Sequence, residues 1–157
     1  MWDRLTLRGA PAPIAKVRAS DDPGMSDVVH VFVEGVPAKK KKTRGDLEVP
    51  ARWRAALHDK TEKLEKIAGP CQLDIEFVLR SDSFPTDHPY GPDLDSLLKN
   101  TLDAMSDTVL RDVKGHDGAI VDIRARKRQA RPGESTGARI IFAETVLPGP
   151  WDAAKAP

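Results

Sequence analysis

Residues 72–80 alternate without a break: Leu73, Ile75, Phe77 and Leu79 fall on one side, and Gln72, Asp74 and Glu76 on the other. A period of two over this length predicts a strand, Gln72–Arg80, with one face buried and one face wet. Such a strand needs a sheet to sit in and a second layer to cover its apolar side. The rest of the chain has to supply both.

Two segments supply the covering layer. Val49–Gly69 reads as a helix, with Pro50 in its first turn and Gly69-Pro70 as its stop. Trp53, Leu57, Leu64 and Ile67 lie near one face of it, at offsets 0, 4, 11 and 14. Trp53 on this stripe reads as core rather than as a platform for stacking bases. Leu94–Val109 is the second helix, striped by Leu94, Leu97, Leu98, Leu102, Met105 and Val109.

Three more segments supply strands. Val28–Gly35 is β-branched and aromatic and ends in glycine; Ala119–Lys127 and Ala138–Val146 follow the second helix. Ser81–Pro92, Arg111–Gly118 and Arg131–Gly137 read as connections. The order β-α-β-α-β-β predicts an α/β fold, a two-layer sandwich with a small mixed sheet and two main helices. Residues 26–147 form this domain, with 1–25 as an N-terminal arm and 148–157 as a tail.

At 157 residues, with 39% hydrophobic and 31% charged, the composition is that of one globular domain. No apolar run approaches the roughly 18 residues of a membrane span, and the start of the chain lacks the pattern of a signal peptide. Cys71 is the single cysteine, so no internal disulfide can form, which fits a cytoplasmic protein.

Net charge is +1, but it is unevenly spread. Residues 81–117 carry eight acidic residues against Lys99, Arg111 and Lys114, and the remainder of the chain is correspondingly basic. An acidic centre in a basic frame suits a metal site presented to a polyanion.

The centre of that acidic block is Gly91-Pro92-Asp93-Leu94-Asp95-Ser96-Leu97-Leu98-Lys99-Asn100. It sets two carboxylates at a helix entrance and a lysine one turn later. Two ionised carboxylates at close range repel unless a cation sits between them, and a hard ion such as Mg²⁺ meets that need. A purely structural account exists beside this one. Asp93 can cap the helix, and Asp95–Lys99 can form an i,i+4 pair worth about 0.2–0.5 kcal/mol.

Asp-Leu-Asp-Ser-Leu-Leu-Lys, then Leu102-Asp103-Ala104-Met105, then His116-Asp117-Gly118-Ala119-Ile120-Val121-Asp122 resembles the RusA family of Holliday-junction resolvases. Val31-Phe32-Val33-Glu34-Gly35-Val36-Pro37, with a basic loop behind it, resembles the start of that fold. The likeness spans roughly residues 28–145 and is detailed over 92–127.

The resemblance implies a crossover junction endodeoxyribonuclease acting on branched DNA, the four-way junction, as a homodimer with Mg²⁺, or Mn²⁺ in its place. It implies Asp93, Asp95 and Asp117 as metal ligands and Lys99 as a catalytic lysine. Ser96 stands where the family has Asn, His116 where it often has the first Asp of a pair, and the 106–116 connection is longer than usual. Asp112 therefore competes with Asp117 as third ligand. A non-catalytic DNA-binding protein of the same fold is the alternative function.

Basic residues complete the expected interface. A period of two sets Arg124, Arg126 and Arg128 on one face of the Ala119–Lys127 segment and its extension, with Val121, Ile123 and Ala125 pointing into the core. With Lys39, Lys40, Lys41, Lys42, Arg44 and Arg131 they are positioned to contact phosphates. The same face also reads as a solvated sheet surface that blocks edge aggregation. Pro92-Asp93 is shared with the PD-(D/E)xK nucleases, but Asp122-Ile123-Arg124 has Arg where those need Lys. His30, His58, His88 and His116 lack zinc-ligand spacing, and no phosphate-binding glycine loop is present.

Overall fold

A computed structural model describes residues 16–17, 28–38, 48–80 and 91–145. The elements run β1 (Lys16–Val17), β2 (Val28–Glu34), α1 (Glu48–Glu62), β3 (Cys71–Leu79), α2 (Leu94–Ser106), a 3-10 turn (His116–Ala119), β4 (Ile120–Gln129) and β5 (Gly137–Glu144). The strands form one mixed sheet in the order β1-β2-β5-β3-β4. β5 lies antiparallel to both β2 and β3, and β4 lies parallel to β3. β2, β3 and β4 therefore point the same way, and α2 carries the chain back between β3 and β4. The expected two-layer α/β fold is the one observed.

Alternation explains the core. Leu73, Ile75 and Phe77 of β3 face Val31 and Val33 of β2 and Ile140 and Phe142 of β5 across one side of the sheet, where Trp53, Leu57, Leu97 and Met105 of the helices cover them. Trp53 is 1% exposed, in keeping with its reading as core. Two glycines allow the close approaches. A Cβ on Gly35 would meet the Trp53 ring at 3.2 Å, and one on Gly137 would lie 2.1 Å from the Val33 carbonyl oxygen. Gly137 also has φ +155, which a side chain rarely adopts.

α1 is shorter than its apolar stripe. The stripe extends to Ile67, yet the helix ends at Glu62. The backbone explains the difference: Leu64 N–H bonds back to Thr61 O, and Ile67 N–H donates at 2.9 Å to Val109 O beyond α2. Leu64 and Ile67 stay buried, and the Ile67 N–H makes a tertiary hydrogen bond in place of a helical one. Beside it, the buried Thr61 hydroxyl donates at 2.7 Å to Leu57 O and accepts at 2.6 Å from the Thr108 hydroxyl, so both polar groups are satisfied where α1 crosses the end of α2. α2 likewise stops at Ser106, three residues short of the expected Val109, which is buried in the turns that follow.

Residues 16–17, inside the stretch expected to be an arm, pair with Val28 and Val29 as a two-residue edge strand. The remainder of that arm, Lys39–Arg44 and the 148–157 tail lie outside the described residues.

Val121 and Ile123 are not core residues. They share the covered side of the sheet with Leu73, opposite Ile123 in register, but are 37% and 42% exposed. Among the described residues β4 is an edge strand, and the helix layer reaches Ala125 and Ile120 without covering its outer flank. Among the described residues, no helix is long and apolar enough to cross a membrane.

Candidate active site at the start of helix α2

α2 begins where β3 and β4 end, at the carboxyl edge of the parallel strands, the usual place for a ligand in an open α/β sheet. Asp93 occupies the N-cap position, φ −59° and ψ 131°, and its carbonyl accepts from Leu97 N–H at 3.1 Å. Its carboxylate makes no capping hydrogen bond. Asp95 follows in the first turn and Lys99 in the second; all three side chains are exposed. Among the described residues no ion pair joins Asp95 to Lys99. Neither local role that would explain these charges, a cap or an i,i+4 pair, is taken up.

Two anchors hold this corner. Lys127, on the covered side of β4, donates its ammonium at 2.6 Å to Pro92 O, the residue before Asp93. Asn100, 2% exposed, donates from Nδ2 at 2.7 Å to Ala38 O. Ala38 immediately precedes the lysine run 39–42 in sequence, and this bond ties it to the second turn of α2. Neither anchor was singled out from the sequence. The available signals were a lysine at a core-facing position of β4 and an amide interrupting an apolar helix.

Asp117 is elsewhere. The 3-10 turn that carries it packs on the far end of α2, where His116 Nδ1 lies 3.2 Å from Ser106 O. α2 has 13 residues, which at the helical rise is about 20 Å. Asp112 lies in the turns between the end of α2 and that 3-10 turn, its carboxylate 3.6 Å from Arg111 Nε. Neither can share an ion with Asp93 and Asp95 of its own chain, and among the described residues no three His, Cys, Asp or Glu side chains group as a metal site. The pair at the α2 start still fits Mg²⁺, which characteristically takes one or two carboxylates and fills its octahedron with water and phosphate oxygens.

Arg124, Arg126 and Arg128 do share the open face of the sheet, but two of them are engaged. Arg126 bonds Asp74 at 2.9 Å and Glu76 at 3.0 Å. Arg128 grips Glu134 through both terminal nitrogens, at 2.7 and 2.6 Å, and Arg139 joins the same carboxylates. Arg124 has no such partner among the described residues. His30 and His58 are exposed, and His88 lies outside the described residues.

The ladder shifts its own titration. The Arg128 hydrogen bonds, then the Arg131 N–H, lower the Glu134 carboxyl to about 2. Burial pushes Glu76 up, but Arg126 and Arg128 outweigh it and leave Glu76 below its ordinary value. Bonding to Glu134 raises Arg128 in turn. A carboxyl lowered on folding adds stability above its unfolded pKa, and that stability is lost as pH falls through the folded value. Stability should therefore decline as pH drops from about 4.5 towards about 2. Glu134→Gln should flatten that decline, as read by urea denaturation at stepped pH, and about 1 M salt should shrink the difference because the pairs are partly exposed.

The chain matches no protein-family model and no curated protein.

Proposed function

We propose that the chain is a Mg²⁺-dependent endodeoxyribonuclease that cuts branched DNA at the α2 corner. One observation carries the reading: Asp93, Asp95 and Lys99 stand exposed on the first two turns of α2, at the carboxyl edge of the sheet, with no structural partner among the described residues. The helix N-terminus favours the two carboxylates, but they make no cap or ion pair among the described residues, and this open charge is what a metal and a phosphate would use. The motif likeness to the RusA family supports the substrate, a four-way junction met in recombination and repair, in the cytoplasm of a bacterial or phage-infected cell.

Mg²⁺, when bound, polarises the scissile phosphate and lowers the pKa of an attacking water. Asp93 and Asp95 hold it. Lys99 stabilises charge developing on the phosphate or the leaving oxygen. Phosphates along the DNA are met by Lys39, Lys40, Lys41, Lys42 and Arg44. Arg126 and Arg128 are assigned to the fold instead, since their charges are spent on Asp74, Glu76 and Glu134.

Lys99→Met tests the reading. If Lys99 were only a solvated helix residue, cleavage would be near normal. As a charge-stabilising group its loss should lower single-turnover cleavage about a hundredfold or more with melting unchanged. Lys99→Arg should rescue it incompletely, because a planar guanidinium places its charge differently from a compact ammonium.

A further inference from the structure

The turn that opens α2 is restrained from outside the helix. Gly91, with φ +69°, turns the chain into Pro92 and Asp93, and the Asp93 carboxylate makes no capping hydrogen bond. Within the helix, the first bond runs from Leu97 N–H to Asp93 O at 3.1 Å. A second restraint comes from Lys127. Its ammonium donates at 2.6 Å to Pro92 O, the oxygen of the peptide that joins Pro92 to Asp93.

Packing does not call for a lysine at this position. Lys127 pairs in register with Phe77, 0% exposed, on the covered side of the sheet, where β4 carries Val121, Ile123 and Ala125 before it. An apolar side chain would fill the same space without desolvating a charge. Among the described residues its partner is a carbonyl and not a carboxylate, so an ion pair does not account for the charge either. What the lysine adds is its hold on Pro92. The base of that hold is firm: β3 and β4 pair as far as Gln129, and Ala130 N–H continues the ladder at 2.7 Å to Leu79 O.

We propose that Lys127 is the positioning residue of the α2 corner: it fixes the backbone that carries Asp93 and Asp95 and so sets how tightly the pair holds a divalent cation. Two carboxylates this close repel, and an ion that must also order an uncapped turn binds more weakly than one meeting a turn already held. Lys127 supplies that order before the ion arrives. Its role is therefore separate from that of Lys99, which acts on the rate. The cation step rests on the nuclease reading; the anchoring of the turn does not.

The test compares Lys127→Met, which keeps the aliphatic stem and loses the donor, with Lys127→Arg, which keeps a donor. Mn²⁺ binding is followed by electron paramagnetic resonance, and amide hydrogen exchange is followed in the metal-free protein. Lys127→Met should weaken Mn²⁺ binding by about tenfold or more, the usual effect of losing a group that orients metal ligands. Exchange at Leu97 N–H should speed up by about tenfold or more as the first turn opens locally, while β3 amides and melting keep their wild-type values. Lys127→Arg should stay close to wild type in both readouts. In junction cleavage, saturating Mg²⁺ should return most of the lost rate to Lys127→Met and none to Lys99→Met.

Wild-type Mn²⁺ affinity and Leu97 exchange in Lys127→Met would reduce Lys127 to a stem that packs on the sheet and overturn the proposal. So would equal losses in the Arg and Met variants, or a rate that stays low at saturating Mg²⁺ with Mn²⁺ affinity unchanged. A wild type that binds no Mn²⁺ and cuts no DNA would remove the nuclease reading and the cation step together, whereas faster Leu97 exchange in Lys127→Met would still uphold the anchor.

Discussion

Asp95→Asn is expected to lower Mg²⁺-dependent cleavage of a four-way junction by about a hundredfold or more, equivalent to about 2.7 kcal/mol of barrier, and to leave the fold intact. The asymmetry follows from the position of the side chain. Asp95 is exposed, makes no pair with Lys99 and caps nothing, so the change should stay within about 0.5 kcal/mol in stability. Removing its charge takes a ligand from Mg²⁺ and also relieves repulsion against DNA phosphates, so junction binding should be retained or tighter. Asp59→Asn is the control. That carboxylate pairs with Lys63 on the exposed side of α1, and its loss should leave cleavage unchanged. Wild-type rates for Asp95→Asn in single-turnover assays would reduce Asp95 to a helix residue.

The largest stability effect is expected at Trp53. Its ring is 1% exposed, packs where β2 ends at Gly35, and joins α1 to the sheet. Trp53→Ala should cost about 3–5 kcal/mol, measured as the loss of unfolding free energy in urea. Trp53→Phe should cost much less, about 1–2 kcal/mol. The phenyl ring keeps part of the contact, and the indole N–H finds no acceptor among the described residues, so no hydrogen bond is lost with it. Equal costs for the two variants would mean that the N–H is bonded and that its hydrogen bond, rather than the ring volume, holds the joint.

The layered fold was legible because burial leaves a period in the sequence. Leu73 to Leu79 alternate because helices cover one side of β3, and the 94–109 stripe repeats because one side of α2 meets that sheet. What failed was governed by tertiary position. Ile67 continues the α1 stripe in sequence, but its N–H is taken by Val109, and no local pattern announces that bond. Val121 and Ile123 alternate like core residues, yet β4 is the last strand, and sequence does not report which strand is last.

The site was half legible for the same reason. Asp93, Asp95 and Lys99 lie within two turns of one helix, so their spacing fixes their proximity. Asp117 belongs to the same motif, but a helix about 20 Å long stands between, and closeness in a motif is not closeness in a chain. Arg126 and Arg128 were correctly set on one face, while the carboxylates that occupy them come from β3 and from the turn before β5.

The central claim is that this corner cuts branched DNA with a metal. The direct test is incubation of the wild-type protein with an end-labelled synthetic four-way junction, with Mg²⁺ and with chelator, followed by denaturing electrophoresis. The account expects paired incisions on opposing strands that appear with Mg²⁺, disappear with chelator and return when Mg²⁺ is restored. An intact junction at saturating protein and Mg²⁺, with binding demonstrated in the same samples, would contradict it and leave a DNA-binding protein that does no chemistry.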